Sequence, residues 1–136
     1  MEIGRALTWT AERFPERLAV AGSRRMTYRE WDERTNRIAK AMRDLGVRPG
    51  DRVATFLSNS EVMASTHLAL QKLGVMSTPL NIRLSAPELA YCLDNADPTV
   101  VVSDDLARGV AQDALTSAAT RPTLLHAGEE PIEGAL

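Results

Sequence analysis

At 136 residues, 44% hydrophobic and 25% charged, the chain has the size and composition of one globular domain, able to bury about two thirds of its unfolded surface. A net charge of −2 argues against nucleic-acid binding, which needs a concentrated excess of Lys and Arg. Aromatic residues make up only 4%, so the core has to be built from Val, Leu, Ile, Ala and Met.

In chain order, Ile3 to Phe14 reads as a helix, and "LAVAG" (18–22) and "RMT" (25–27) as a small hairpin. A strong helix is predicted from Tyr28 to Leu45, with Trp31, Thr35, Ile38, Met42 and Leu45 forming one buried stripe at four- and three-residue steps. Gly46 suits the position just past its end, and "RPGD" (48–51) makes a turn. "RVATFL" (52–57) reads as a buried strand, followed by a helix over 60–73 that stops at Gly74. "VMSTPL" (75–80) is a second strand with Pro79 near its end. A short helix from Pro87 to Asn95, a strand "TVVV" (99–102), a helix from Asp104 to Ala118 and a strand "TLLHA" (123–127) complete the pattern.

One helix-start signal recurs. Thr27/Glu30, Ser58/Glu61 and Ser85/Glu88 each have the capping-box spacing, in which a hydroxyl accepts from a free helix amide and a Glu reaches back. Strand and helix alternate with short connections. This predicts an α/β fold, a mostly parallel sheet with helices on both faces. The domain is expected to span 1–126, with a frayed tail over 127–136.

Charge is uneven: residues 1–83 hold 14 Lys/Arg and 9 Asp/Glu, and residues 84–136 hold 2 and 9. A phosphate-facing surface is one reading. The other, favoured here, makes Glu30/Arg34 and Glu33/Arg37 helical pairs on a solvated face. Cys92 stands alone, which excludes an internal disulfide and fits a reducing compartment. The N-terminus lacks an apolar signal core, and no apolar run approaches the roughly 18 residues of a membrane span. These features point to the cytoplasm.

The inventory for chemistry is thin. The chain has no G-x-x-x-x-G-K-[ST] loop, no G-x-G-x-x-G fingerprint and no G-x-S-x-G elbow. Neither His67 nor His126 has a partner at metal-ligand spacing. His67, near Met63 and Leu70, reads as a partly buried structural residue, and Cys92, beside Leu89 and Leu93, as an inert core thiol. The loop "LNIRLS" (80–85) is the one place where polar side chains sit between a strand and a helix. Asn81 and Arg83 are candidates for contact near a ligand. A loop lock is the other reading, with Arg83 paired to Glu88 and Asn81 bonded to turn backbone.

Two stretches go further. "MTYREWDERTNRIAKAMRDLGVRPGDRVATFLSNS" and "LQKLGVMSTPLNIRLSAPELAYCLDNADPTVVVSD" resemble, in order and spacing, the N-terminal part of an acyl-CoA synthetase of the AMP-binding, adenylate-forming superfamily. The resemblance runs from near residue 3 to about 126. Asn81 favours the acyl- and aryl-CoA synthetase branch, because peptide-synthetase domains usually carry Asp there. One departure lies at Asn59: the family commonly has Asn-Ser-x-Glu, whereas here Glu61 follows Ser60 directly.

The resemblance implies a fatty- or aryl-acid CoA ligase that uses ATP, Mg2+ and coenzyme A. It also implies that the phosphate loop and the catalytic Lys, which this chain lacks, lie elsewhere. By this reading no catalytic residue and no metal ligand belong to this chain, it binds no cofactor alone, and its partner is the rest of the synthetase or a second copy. A non-catalytic α/β interaction module related to the family is the alternative. An unrelated flavodoxin-like ligand-binding domain is disfavoured by the missing Gly-rich phosphate turn.

Overall fold

The computed structural model describes residues 2–127. Helices and strands alternate as α1 (Ile3–Arg13), β1 (Leu18–Ala21), β2 (Arg25–Thr27), α2 (Tyr28–Asp44), β3 (Arg52–Phe56), α3 (Glu61–Leu73), β4 (Met76–Pro79), α4 (Ala86–Ala96), β5 (Val100–Ser103), α5 (Arg108–Ser117) and β6 (Thr123–His126). They form two compact units. A helical unit takes the chain up to Pro49 together with Ser60–Val75, and a sheet unit takes Gly50–Asn59 and the chain from Met76 onward.

In the helical unit, β1 and β2 make an antiparallel hairpin that leads straight into α2. The Thr27 capping box forms in full: the Glu30 amide donates to Thr27 Oγ1 at 3.3 Å, and the Thr27 amide donates to Glu30 Oε2 at 2.8 Å. The next free amides, of Tyr28 and Arg29, donate to the carbonyls of Arg17 and Pro15, so the connection between α1 and β1 supplies what the helix start lacks.

The predicted stripe holds at Thr35, Ile38 and Met42, all buried, while Trp31 is half-buried. Leu45 departs from expectation: it is 47% exposed. Gly46 adopts φ +96°, and the Val47 amide reaches back to the Met42 carbonyl at 3.1 Å. This closure reverses the chain and puts Val47, 1% exposed, where the next turn of helix would have put Leu45. The same closure ends α3, with Gly74 at φ +68° and the Val75 amide bonded to the Leu70 carbonyl. Helix α1 approaches α3 closely at Gly4, where an added Cβ would fall 2.4 Å from the Gln71 carbonyl oxygen.

The start of α3 corrects the sequence reading. Ser60, not Ser58, is the N-cap, with its hydroxyl accepting from the Met63 amide at 3.2 Å. Glu61 therefore does not reach back. Instead it turns inward to Arg34, 2.5 Å away, and to the Ser65 hydroxyl. Arg34 is thus not the helical partner of Glu30, which is committed to its capping box. His67 is exposed rather than partly buried, because Ser65, Thr66, Ala69 and Leu70 take the inward face.

In the sheet unit all strands are parallel, in the order β4-β3-β5-β6, and helices flank the sheet. Ala54, Phe56 and Val101 meet Leu89 and Leu93 of α4. A line of alanines, Ala107, Ala111, Ala114 and Ala118, joins the same core from α5 and its ends. Such small residues at helical spacing let α5 lie close to the strands. Val53, Val100 and Val102, on the opposite face, are at most 1% exposed, which explains why these strands read as continuous apolar runs. The predicted last helix is shorter than expected. Asp104 to Ala107 is a turn, because the Asp104 side chain caps it: its Oδ1 accepts from the Ala107 amide at 3.0 Å. Cys92 is half-buried on α4. Ala127 still donates to the Ser103 carbonyl at 2.8 Å. Residues 128–136, where most of the frayed tail was expected, lie outside the described residues.

Candidate functional site

In open parallel sheets, ligands gather at the carboxyl ends of the strands, where strand order reverses. Here the reversal falls between β3 and β5, the chain passing from β3 outward to β4 and from β5 outward to β6. A clasp spans that point. The Ser58 amide and hydroxyl both donate to Asp104 Oδ2, at 2.8 and 2.6 Å, joining the loop after β3 to the loop after β5. Burial pulls the Asp104 carboxyl upward. The bonds from the Ser58 hydroxyl and amide and from the Ala107 and Leu106 amides outweigh it and hold the group below the usual aspartate range. An ionised carboxylate therefore sits at this strand edge, occupied with backbone and hydroxyl donors.

The loop after β4 carries the two predicted residues, and the structure brings them together. Asn81 Oδ1 accepts from the Arg83 amide at 2.9 Å, and the Asn81 carbonyl accepts from the Leu84 amide at 3.0 Å. The side chain thus imitates a backbone turn and fixes the loop. Its flanks, Leu80, Ile82 and Leu84, pack on the core below, which leaves Asn81 and Arg83 exposed above. The expected ion pair between Arg83 and Glu88 does not form. Glu88 Oε2 takes the Ser85 amide and hydroxyl, both at 2.8 Å, and these bonds hold its carboxyl below the ordinary glutamate range. Among the described residues, the Arg83 guanidinium makes no ion pair. Asn81 thus locks the turn, and Arg83 presents its charge from it without an ion-pair partner among the described residues.

A third group at this edge escaped the sequence reading. His126 and Ser103 are register partners in β6 and β5, and both are buried. Among the described residues, neither the Ser103 hydroxyl nor either ring nitrogen of His126 has an aligned hydrogen-bond partner. Asp105 Oδ1 lies 2.9 Å from His126 Nε2, at ion-pair distance but without hydrogen-bond alignment. No spacing rule could have joined Ser103, Asp105 and His126, since the strand register does so. The described residues hold no group of three or more His, Cys, Asp or Glu side chains arranged for a metal ion, and no helix long and apolar enough to cross a membrane.

With this geometry in place, the comparisons are decisive about family. Residues 7–134 match the AMP-binding enzyme family. The chain belongs to it. It is 32% identical over 117 residues to the peroxisomal acetate/butyrate–CoA ligase AAE7 of Arabidopsis thaliana, a match covering 81% of this chain and 21% of that protein. It is also 33% identical over 129 residues to the N-(5-amino-5-carboxypentanoyl)-L-cysteinyl-D-valine synthase of Amycolatopsis lactamdurans, covering 89% of this chain and 3% of that protein. Among solved structures, a fatty acyl CoA synthetase of Mycobacterium tuberculosis superposes with a TM-score of 0.85 at 31% identity, over 93% of this chain and 26% of that one. The AMP-binding chain therefore spans about a fifth or less of its curated relatives. Its α/β fold is that of the N-terminal region of acyl-CoA ligases.

Proposed function

We propose that this chain is the opening part of an ATP-dependent acid–CoA ligase. In that reaction a carboxylate oxygen attacks the α-phosphate of Mg-ATP, the bond to the β-phosphate breaks, and pyrophosphate leaves. The thiol of coenzyme A then attacks the acyl carbon and AMP departs with the electron pair. A fatty or aryl acid is the proposed substrate. The observation that carries this reading is the family match over 7–134, combined with about one-third identity to CoA ligases along most of the chain.

The chain's own contribution is a framework. Asn81 fixes the loop after β4, and Arg83, an exposed guanidinium on that loop, is offered as a contact close to the ligand. A rigid cation can neutralise carboxylate or phosphate charge, but in-line transfer needs several donors aimed at the developing charge. This chain contains no Ser/Thr/Gly-rich phosphate loop ending in Lys, so those donors are assigned to the remainder of the synthetase, its proposed partner. The lone Cys92 suits a reducing compartment such as the cytoplasm.

Two assays test the proposal. The complete reading frame containing this sequence should release AMP and form an acyl-CoA when given ATP, Mg2+, coenzyme A and a fatty or aryl acid. Failure with every acid tried favours a non-catalytic interaction module. The 136-residue chain alone should give no acid-dependent ATP–pyrophosphate exchange, and exchange above a heat-killed control would place catalysis within it.

A further inference from the structure

The strand ends β5 and β6 hold the one buried histidine among the described residues, and the function above makes no use of it. Its side chain is 10% exposed, while that of Asp105, 2.9 Å from Nε2, is 75% exposed on the turn that begins α5. Burying polar nitrogens without partners is costly, so the ring has reason to take a partner when one is in reach. Asp105 is in reach and merely out of line. A charged imidazole would draw it in, because charge-assisted bonds are shorter and about twice as strong as neutral ones.

The turn that would move is not an ordinary loop. Asp104, the neighbour of Asp105, grips the Ser58 amide and hydroxyl with one oxygen and the Ala107 amide with the other. A pull on Asp105 therefore acts on the clasp that joins the ends of β3 and β5. The surroundings leave little competition. The strand β5 brings no titratable side chain to the ring, only the Ser103 hydroxyl. Helix α5 buries Ala111 and Ala114 and leaves Arg108 and Asp113 exposed. Asp104 is committed, so among the described residues Asp105 is the carboxylate that answers His126.

We propose that Asp105 and His126 form a proton-operated strap: on protonation of the imidazole, the Asp105 carboxylate, already 2.9 Å from Nε2, swings into line with the ring and passes that change through the turn Asp104–Ala107 to the Ser58–Asp104 clasp at the carboxyl edge of the sheet. In the neutral state the two groups stand at contact distance but out of line. Proton concentration is thereby read at the edge where this fold presents its loops. The device depends on the fold and not on the ligase reading, so it stands or falls separately from that reading.

The experiment is a pH titration of the 136-residue chain by nuclear magnetic resonance. His67, exposed on α3, is an internal control histidine. The amides of Ser58 and Ala107 should shift together with the His126 ring protons, and should keep that response in His67→Gln. In Asp105→Asn the His126 ring should still titrate while the response of the two amides falls at least threefold. His126→Gln, a neutral replacement of similar reach, should abolish that response and leave the amides at their high-pH positions. Amides that stay flat through the His126 titration, or that follow it equally well in Asp105→Asn, would overturn the strap.

Discussion

The two units of this chain are held together by different means. In the helical unit, side chains that stay polar bind three helices to one another. Lys72 of α3 places its ammonium 2.5 Å from Asp32 Oδ1 and 2.8 Å from both Thr35 Oγ1 and Asn36 Oδ1. The Thr8 hydroxyl of α1 donates to the same Asp32 oxygen at 2.8 Å. Trp31 donates to Ser65 and Ser65 to Glu61, which also takes Arg34. In the sheet unit the described core is filled by Val, Ala, Leu and Phe side chains, and its polar clasp at Asp104 lies at the strand ends. The lesson is that one short chain uses directional bonds where helices cross and volume where strands lie flat. The first kind of core is sensitive to charge, and the second to lost methylenes.

That contrast can be broken from either side. The largest effect is expected for Phe56→Ala, since Phe56 is fully buried in the sheet unit and such truncations cost about 3–5 kcal/mol. Denaturant unfolding should show it as a lower midpoint, and an unchanged midpoint would mean that the unit is not packed as described. Next comes Lys72→Met, which strands Asp32 with its carboxylate mostly enclosed; removing one partner of a buried pair costs about 3 kcal/mol. Here the double variant with Asp32→Leu is the sharper measurement. It should recover part of the loss, whereas additive losses would show that the two groups are not coupled.

The smallest effect is the response to acid, and it separates the units. Burial pulls the Glu61 carboxyl upward, but the bonds from Arg34 and Ser65 and the charges of Arg34 and Arg24 outweigh it, so its folded value is depressed. Asp104 is depressed in the same sense. The stability each contributes is fully present above the ordinary carboxylate range and is lost as pH falls through the folded values. In hydrogen exchange followed toward acid pH, Glu61→Gln should flatten the response of α2 and α3 amides alone. Asp104→Asn should do so for the amides at the ends of β3 and β5. A single substitution that flattened both would show that acid acts on the chain as a whole.

How much of this could be read beforehand varies with the range of the interaction that decides it. Helix α2 was legible because its signals are local: a capping box at Thr27, a stripe through Ile38 and Met42, and a glycine to end it. The parallel sheet was legible from the apolar runs that become β3 and β5. The start of α3 was misread because Ser58 and Ser60 are equally good caps over short range. The choice was made 46 residues away, where Asp104 takes Ser58 and leaves Ser60 to the helix. The site was half-legible for the same reason. The turn at Asn81 is formed within two residues, but the release of Arg83 depends on Glu88 closing its own capping box. Ser103 and His126 meet only through strand register, which no window of sequence contains.

The glycine-ended closures of α2 and α3 stand at the two places where the chain leaves the helical unit, Gly46-Val47 before Pro49 and Gly74-Val75 before Met76. A ribosome making this protein would therefore finish α1, the hairpin and α2, then lay down the first strand of the other unit, before producing the helix that carries Lys72 and Glu61. Until that helix emerges, Asp32 and Arg34 have no counter-charge from it, and β3 is already waiting without β4 or β5. Neither unit can be completed before the other has begun. The polypeptide is spliced together in time as well as in space, and cutting it at either glycine closure would leave two incomplete pieces rather than two domains.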